Sequence, residues 1–165
     1  MAGKVWIAAA ALAAGMTVAA GGALAHNTKG EVARTPGHKA ALVRHDNFEK
    51  LGAAFKAIND ELRKSDPDTQ LVARNAATMK ALSTQLPTWF PKGSGKEARP
   101  KSEAKPNIWT DSAGFSSAAS NAQVQISKLQ QAAAGGDLGA VRGQIRATGG
   151  ACKGCHDKFR EEKKS

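Results

Sequence analysis

The chain has little with which to staple itself, build a bulky core or form sheets. Of 165 residues only two are cysteine, three positions apart, so no disulfide framework is available. Tyrosine is absent, and five Phe with three Trp bring aromatics to only 5%. The 41% hydrophobic share is dominated by alanine, which lets helices approach closely but fills little core volume. That composition argues against a Val/Ile/aromatic-rich sandwich or barrel. No stretch alternates apolar and polar residues as a half-buried strand would. Leu, Val, Ile and Phe nevertheless recur at regular intervals, which speaks against a long disordered chain. Acidic residues are fewer than basic ones, 14 against 24, so the formal charge is +10 and an anionic partner has to be weighed. The length suits one domain.

Residues 1–25 read as an export signal rather than as part of that domain. Lys4 gives a positive start, Val5 to Ala20 carries no charge, and Ala23-Leu24-Ala25 supplies a small-x-small cleavage pattern. The mature chain is then 26–165, beginning at His26. Val5 to Ala25 is 21 residues, enough to span a bilayer, but its Ala and Gly content is only weakly apolar. Cleavage and a periplasmic location are the expectation.

Four stretches carry a helical period. Phe48, Leu51, Phe55, Ile58 and Leu62 follow 3-4-3-4 spacing, the seam of a bundled helix. Continuing four residues back reaches Arg44, a charge on an otherwise apolar stripe. A second helix opens at Asp66-Pro67 and carries Leu71, Asn75 or Ala76, Met79, Leu82 and Leu86 until Pro87. A third follows Pro106, with Phe115, Ala119, Ala122, Ile126, Leu129 and Ala133, and ends at Gly135-Gly136. The fourth starts at Asp137 and lines up Leu138, Val141, Ile145, Thr148, Cys152, Cys155 and Phe159. Pro91 to Pro106, with seven charged residues, reads as a long, solvated and mobile crossover. The expected fold class is all-α: an antiparallel four-helix bundle, up-down-up-down.

Cys152-Lys153-Gly154-Cys155-His156 is the c-type haem attachment pattern, C-x-x-C-H. Thiols at i and i+3 of a helix point to one side, so both can bond the two vinyl groups of one porphyrin. The adjacent imidazole then comes under the iron as an axial ligand. The expected cofactor is one covalent haem c held by Cys152 and Cys155, with His156 on the metal. A thioredoxin-like site would want a strand before the cysteines and a helix N-terminus beneath them. A structural zinc site would need a fourth ligand, and no second Cys/His pair exists. A disulfide across four residues would constrain almost no chain. Only nine residues follow His156 and none is Met, so a sixth ligand would have to come from upstream. Beyond the signal the choices are Met79, His26, His38 and His45, and the position is contested or empty.

Together with that motif, Arg44 followed four residues later by Phe48, the Trp89-Phe90-Pro91-Lys92-Gly93-Ser94 turn, and Ile108-Trp109-Thr110-Asp111 leading to Phe115 occur in a telling order. From about Gly37 to Lys163 the sequence resembles the cytochrome c′ family, the class II cytochromes c. The resemblance implies that Arg44 reaches a haem propionate, that His45 and Ser94-Gly95 line the haem edge, and that Arg160 stands near the proximal histidine. It places Phe48 opposite the iron, where low-spin relatives carry a ligating Met. Phe cannot ligate, so the likeness is to the five-coordinate, high-spin branch. The alternative is a six-coordinate low-spin carrier with an upstream ligand such as Met79.

Two roles follow from the resemblance: binding of small diatomic gases (NO, CO) at the open iron position, and single-electron transfer. No distal acid–base pair or Ser/His/Asp set accompanies the motif, so an enzyme is not expected. Basic residues are spread rather than interleaved with aromatics, and with export this disfavours nucleic acid. The expected partners are an acidic redox protein, steered by the positive charge, and a second copy of the chain in a homodimer.

Overall fold

A computed structural model describes residues 31–162. The expected export signal, 1–25, and His26 lie outside the described residues. Four long helices, α1 (Pro36–Glu61), α2 (Thr69–Thr84), α4 (Ser112–Ala134) and α5 (Leu138–Phe159), form the antiparallel up-down-up-down bundle. A 3-10 turn (Leu86–Trp89) and the one-turn α3 (Asn107–Thr110) punctuate the crossover. Among the described residues no helix is long and apolar enough to cross a membrane.

Each long helix begins at a side-chain cap. Thr35 accepts from the His38 amide ahead of Pro36, Asp111 from Gly114, and Asp137 from Ala140. The second helix starts two residues later than expected. Asp68, not Asp66, is its cap, accepting from Leu71 N at 2.9 Å while its own amide donates to Glu61 at 3.2 Å. Pro67 therefore precedes the cap instead of opening the helix. α4 ends at Gly135, and Gly136 takes φ +71°, the left-handed position that suits glycine.

The core runs the length of the bundle. All six residues expected to face inward on α4 are buried. On α2 the buried line is Val72, Ala76, Met79 and Ser83, continued by Leu86 in the 3-10 turn, so Leu71 and Leu82 sit at its margin. Ser83 can be interior because its hydroxyl donates to Lys80 O, while its carbonyl accepts from Gln123 on α4.

α1 and α5 touch at three levels. Arg142 donates to Leu62 O at 3.3 Å, Phe55 lies 3.4 Å from where a Cβ on Gly149 would stand, and the Phe48 and His156 rings face one another. Each step of seven residues up α1 is matched by seven down α5, as two antiparallel helices bridged by their side chains require. Gly143, Gly150 and Gly154 face open space. Of the helix-thinning glycines on α5, Gly149 is the one set close against α1.

The crossover departs most from expectation. Ser94 is fully buried, and Arg99 and Ser102 are 6% exposed. Rather than a solvated loop it is a built strap, held by hydrogen bonds to α1, to α5 and to the segment before α1. Its physical basis is polar and long-range, which apolar periodicity cannot register.

Candidate haem site

The last two turns of α5 carry the chemistry. Cys152 and Cys155 are half-buried, free thiols on the inward side of the helix. Burial pushes both above the ordinary value of 9.0, with each other's proximity adding at Cys155. Neither is a thiolate at neutral pH, unlike the activated cysteine of a thiol oxidoreductase. Nor do the described residues hold any group of three His, Cys, Asp or Glu side chains able to share a metal.

His156 is solvent-exposed as a residue, yet its ring packs edge-on at 6.5 Å between centroids against Phe48. Partial burial first, then the nearby Arg160 guanidinium, hold its pKa below the ordinary 6.5. Asp157 and Glu103 oppose that shift without reversing it. At neutral pH the imidazole is therefore neutral, with a lone pair free to bind a metal.

Phe48 is the opposing wall. Its ring makes edge contacts with Trp89 at 5.1 Å and Phe90 at 6.1 Å. Phe90 continues to Phe115, and Phe115 to Phe159. This aromatic row is how a chain with so few aromatics lines one end of the bundle. Met79 is 0% exposed in the central core, and His38 is engaged with Glu31 at 3.1 Å. His45 is half-buried on α1, one residue off the stripe that carries Phe48.

Arg44 is 5% exposed. One terminal nitrogen donates to Trp89 O at 3.1 Å and Ser94 Oγ at 2.9 Å; the other donates to Ser94 O at 2.7 Å and Ser102 Oγ at 3.0 Å. The guanidinium also stands 4.8 Å from the Phe90 ring centroid. Burial and neighbouring Arg99 push its pKa down to about 10, so it stays charged at neutral pH. None of its hydrogen-bond partners carries a charge. Glu97 opposes that shift only through space, without a hydrogen bond to the guanidinium, and an entering carboxylate would relieve the remaining cost of the buried charge.

The structure thus brings Arg44 and Ser94 together and sets Phe48 against His156. Gly95, next to Ser94, is buried against Trp109, whose ring lies 3.1 Å from where a Cβ would stand. Arg160 caps α5 through its amide to His156 O at 2.9 Å, while its side chain pairs with Glu103 at 2.6 Å. Sequence patterning does not reveal Ser102, Glu103 or Gly37. A Cβ on Gly37 would stand 2.0 Å from Gly93 O, so bare backbones meet there. Only the Arg44 misfit on the apolar stripe hinted at a polar pocket.

A four-helix bundle whose final helix ends in Cys-x-x-Cys-His defines the class of helical-bundle c-type cytochromes. Residues 39–160 match the family model described as cytochrome C′. The chain is 40% identical over 99 residues to cytochrome c′ of Rubrivivax gelatinosus, covering 60% of this chain and 75% of that one. It is 38% identical over 125 residues to cytochrome c′ of Alcaligenes xylosoxydans xylosoxydans, covering 75% and 94%. The Rubrivivax gelatinosus crystal structure superposes with TM-score 0.70 at 34% identity, covering 76% of this chain and 97% of that one. A nitric oxide complex of a variant of the Alcaligenes xylosoxidans protein superposes equally well, TM-score 0.70 at 28% identity, covering 77% and 97%. The chain belongs to the cytochrome c′ family. Members of that family carry one covalently attached haem c.

The residues here fit that group. Two free inward thiols stand one turn apart, a neutral imidazole follows, and Arg44, a buried cation whose hydrogen-bond partners are all neutral, sits on α1 one turn from Phe48.

Proposed function

We propose that this chain is an exported mono-haem cytochrome that binds small diatomic gases and passes single electrons, and is not an enzyme. Cys152 and Cys155 hold the porphyrin by thioethers and His156 is the protein's axial ligand. Bound there, the haem supplies an iron that cycles between ferric and ferrous and takes a sixth ligand. Arg44, with Ser94 beside it, receives a propionate, and His45 and Gly95 border the same edge.

The observation that carries this reading is Phe48 facing His156, because a phenyl ring offers no lone pair to a metal. An apolar lid admits uncharged diatomics and disfavours anions. The nitric oxide complex among the solved relatives supports the same choice. Met79, sealed in the core, speaks against the six-coordinate alternative.

Without Lys4 of the signal the charge is 23 basic against 14 acidic, or +9, and this supports docking to an acidic redox protein in the periplasm, not to nucleic acid. A homodimer is the assembly this reading carries, and gel filtration tests it.

The decisive experiment is the optical spectrum of the reduced protein with and without carbon monoxide. A large Soret change is expected. An unaltered spectrum refutes the open position and restores a ligand such as Met79.

A further inference from the structure

The last turn of a helix normally frays, because its final carbonyls lack donors. In α5 every one of them is taken. His156 O accepts from Arg160 N at 2.9 Å. Asp157 O accepts from Lys105 Nζ at 3.1 Å, Lys158 O from Asn107 Nδ2 at 3.1 Å, and Phe159 O from Lys105 N at 3.0 Å. Three of the four donors thus come from Lys105 in the crossover and Asn107 at the start of α3. The bond from Glu161 N to Glu103 O at 2.8 Å and the Arg160–Glu103 pair extend the same grip past the helix end.

A metal-binding histidine is usually oriented by a hydrogen bond to its second ring nitrogen. Among the described residues, nothing hydrogen-bonds the His156 ring. We infer that Glu103, Lys105 and Asn107 are the positioning residues for His156: they fix the helix turn and thereby aim the imidazole. This rests on His156 being the axial ligand. It adds that the ring is aimed through the backbone, by a strap that also holds Arg44 through Ser94 and Ser102. One segment therefore sets both sides of the site.

The test uses the intact holoprotein carrying Glu103→Gln with Asn107→Leu, and, as a milder variant, Asn107→Leu alone, which keeps the approximate shape, loses the donor to Lys158 O and removes an oxygen that is buried without a partner. Two signals are read: the iron–histidine stretching band in the resonance Raman spectrum of the ferrous form, and amide hydrogen exchange at residues 156–160. The band should broaden and shift to lower frequency, with exchange at those amides rising about tenfold or more and the rest of the bundle unchanged. A band of unaltered position and width beside faster exchange overturns the inference. So does unaltered exchange, since the strap would then not order the turn. Absence of any such band in the unsubstituted protein instead refutes His156 as the ligand, and the inference falls with that assignment.

Discussion

α4 and the crossover strap are stabilised in opposite ways. α4 buries Phe115, Ala119, Ala122, Ile126, Leu129 and Ala133 in a line, so its hold on the bundle is spread over 23 residues. The strap, 91–106, contributes few apolar side chains and hangs on separate polar points. These are Arg44 to Ser94 and Ser102, Arg99 to Glu31, and Lys105 to the end of α5. Apolar burial degrades gradually when one methyl group is lost. A buried polar point fails at once, because the group left behind has no partner. The site end of the molecule is built on the second kind of interaction.

Arg44→Met should show that contrast most strongly. It strips donors from the buried carbonyls of Trp89 and Ser94 and from two buried serine hydroxyls. At ~1–3 kcal/mol for each of the two unsatisfied carbonyls, a loss of ~2–6 kcal/mol is expected. Ile126→Val on α4, 1% exposed, should cost only ~0.5–1.5 kcal/mol. Urea unfolding of both holoproteins compares the totals. Hydrogen exchange then separates the modes: Arg44→Met should expose amides of 89–102 selectively. Equal costs, or exchange spread evenly over the bundle, would erase the distinction between the regions.

Gly37→Ala comes next in size. Its Cβ would overlap Gly93 O at 2.0 Å, and the obstacle is backbone that cannot rotate away. α1 and the strap must part there, at about 1–3 kcal/mol by the usual cost of overpacking. Gly52→Ala on the same helix meets nothing within 4 Å and should stabilise slightly, as a helix interior prefers alanine. Thermal melts of the two variants should shift in opposite directions, and a shared sign refutes the Gly37–Gly93 contact as the cause.

These two regions also differ in what their sequences disclose. The α4 stripe is legible residue by residue, because apolar side chains at 3-4 spacing have one face to bury. The bundle and the Cys-x-x-Cys-His turn are legible for similar reasons: each is a local pattern with one physical reading. The strap is not. Its charges Lys96, Arg99, Glu103 and Lys105 look like a solvated run until partners 50 or more residues away are supplied by the fold. Arg99 meets Glu31 across 68 positions, and Lys105 meets Asp157 across 52. Arg44 alone betrayed the pocket, by sitting where the period wants an apolar residue. Asp68 displaced Asp66 as a cap for a comparable reason: Glu61, a full loop earlier, takes the Asp68 amide.

The smallest effect sharpens the comparison through pH. Glu31 anchors the segment ahead of α1 to the strap, accepting from Arg99 at 3.1–3.3 Å and meeting His38 at 3.1 Å. Hydrogen bonds from Arg99 first and His38 second hold its carboxyl below the ordinary 4.5. A carboxyl depressed on folding stabilises the native state above its ordinary value, and that contribution fades as pH falls through the depressed one. Acidification from pH 6 to 3 should therefore free residues 31–38 from Arg99 while the α4 amides stay protected. Glu31→Gln should leave the segment loose at every pH and flatten the response. The chain is partly solvated there, so the change in overall stability is small and the local exchange rates are the measure. If residues 31–38 stay protected at pH 3 in both proteins, the strap is held at this end by apolar packing instead, and resembles α4 more than it differs from it.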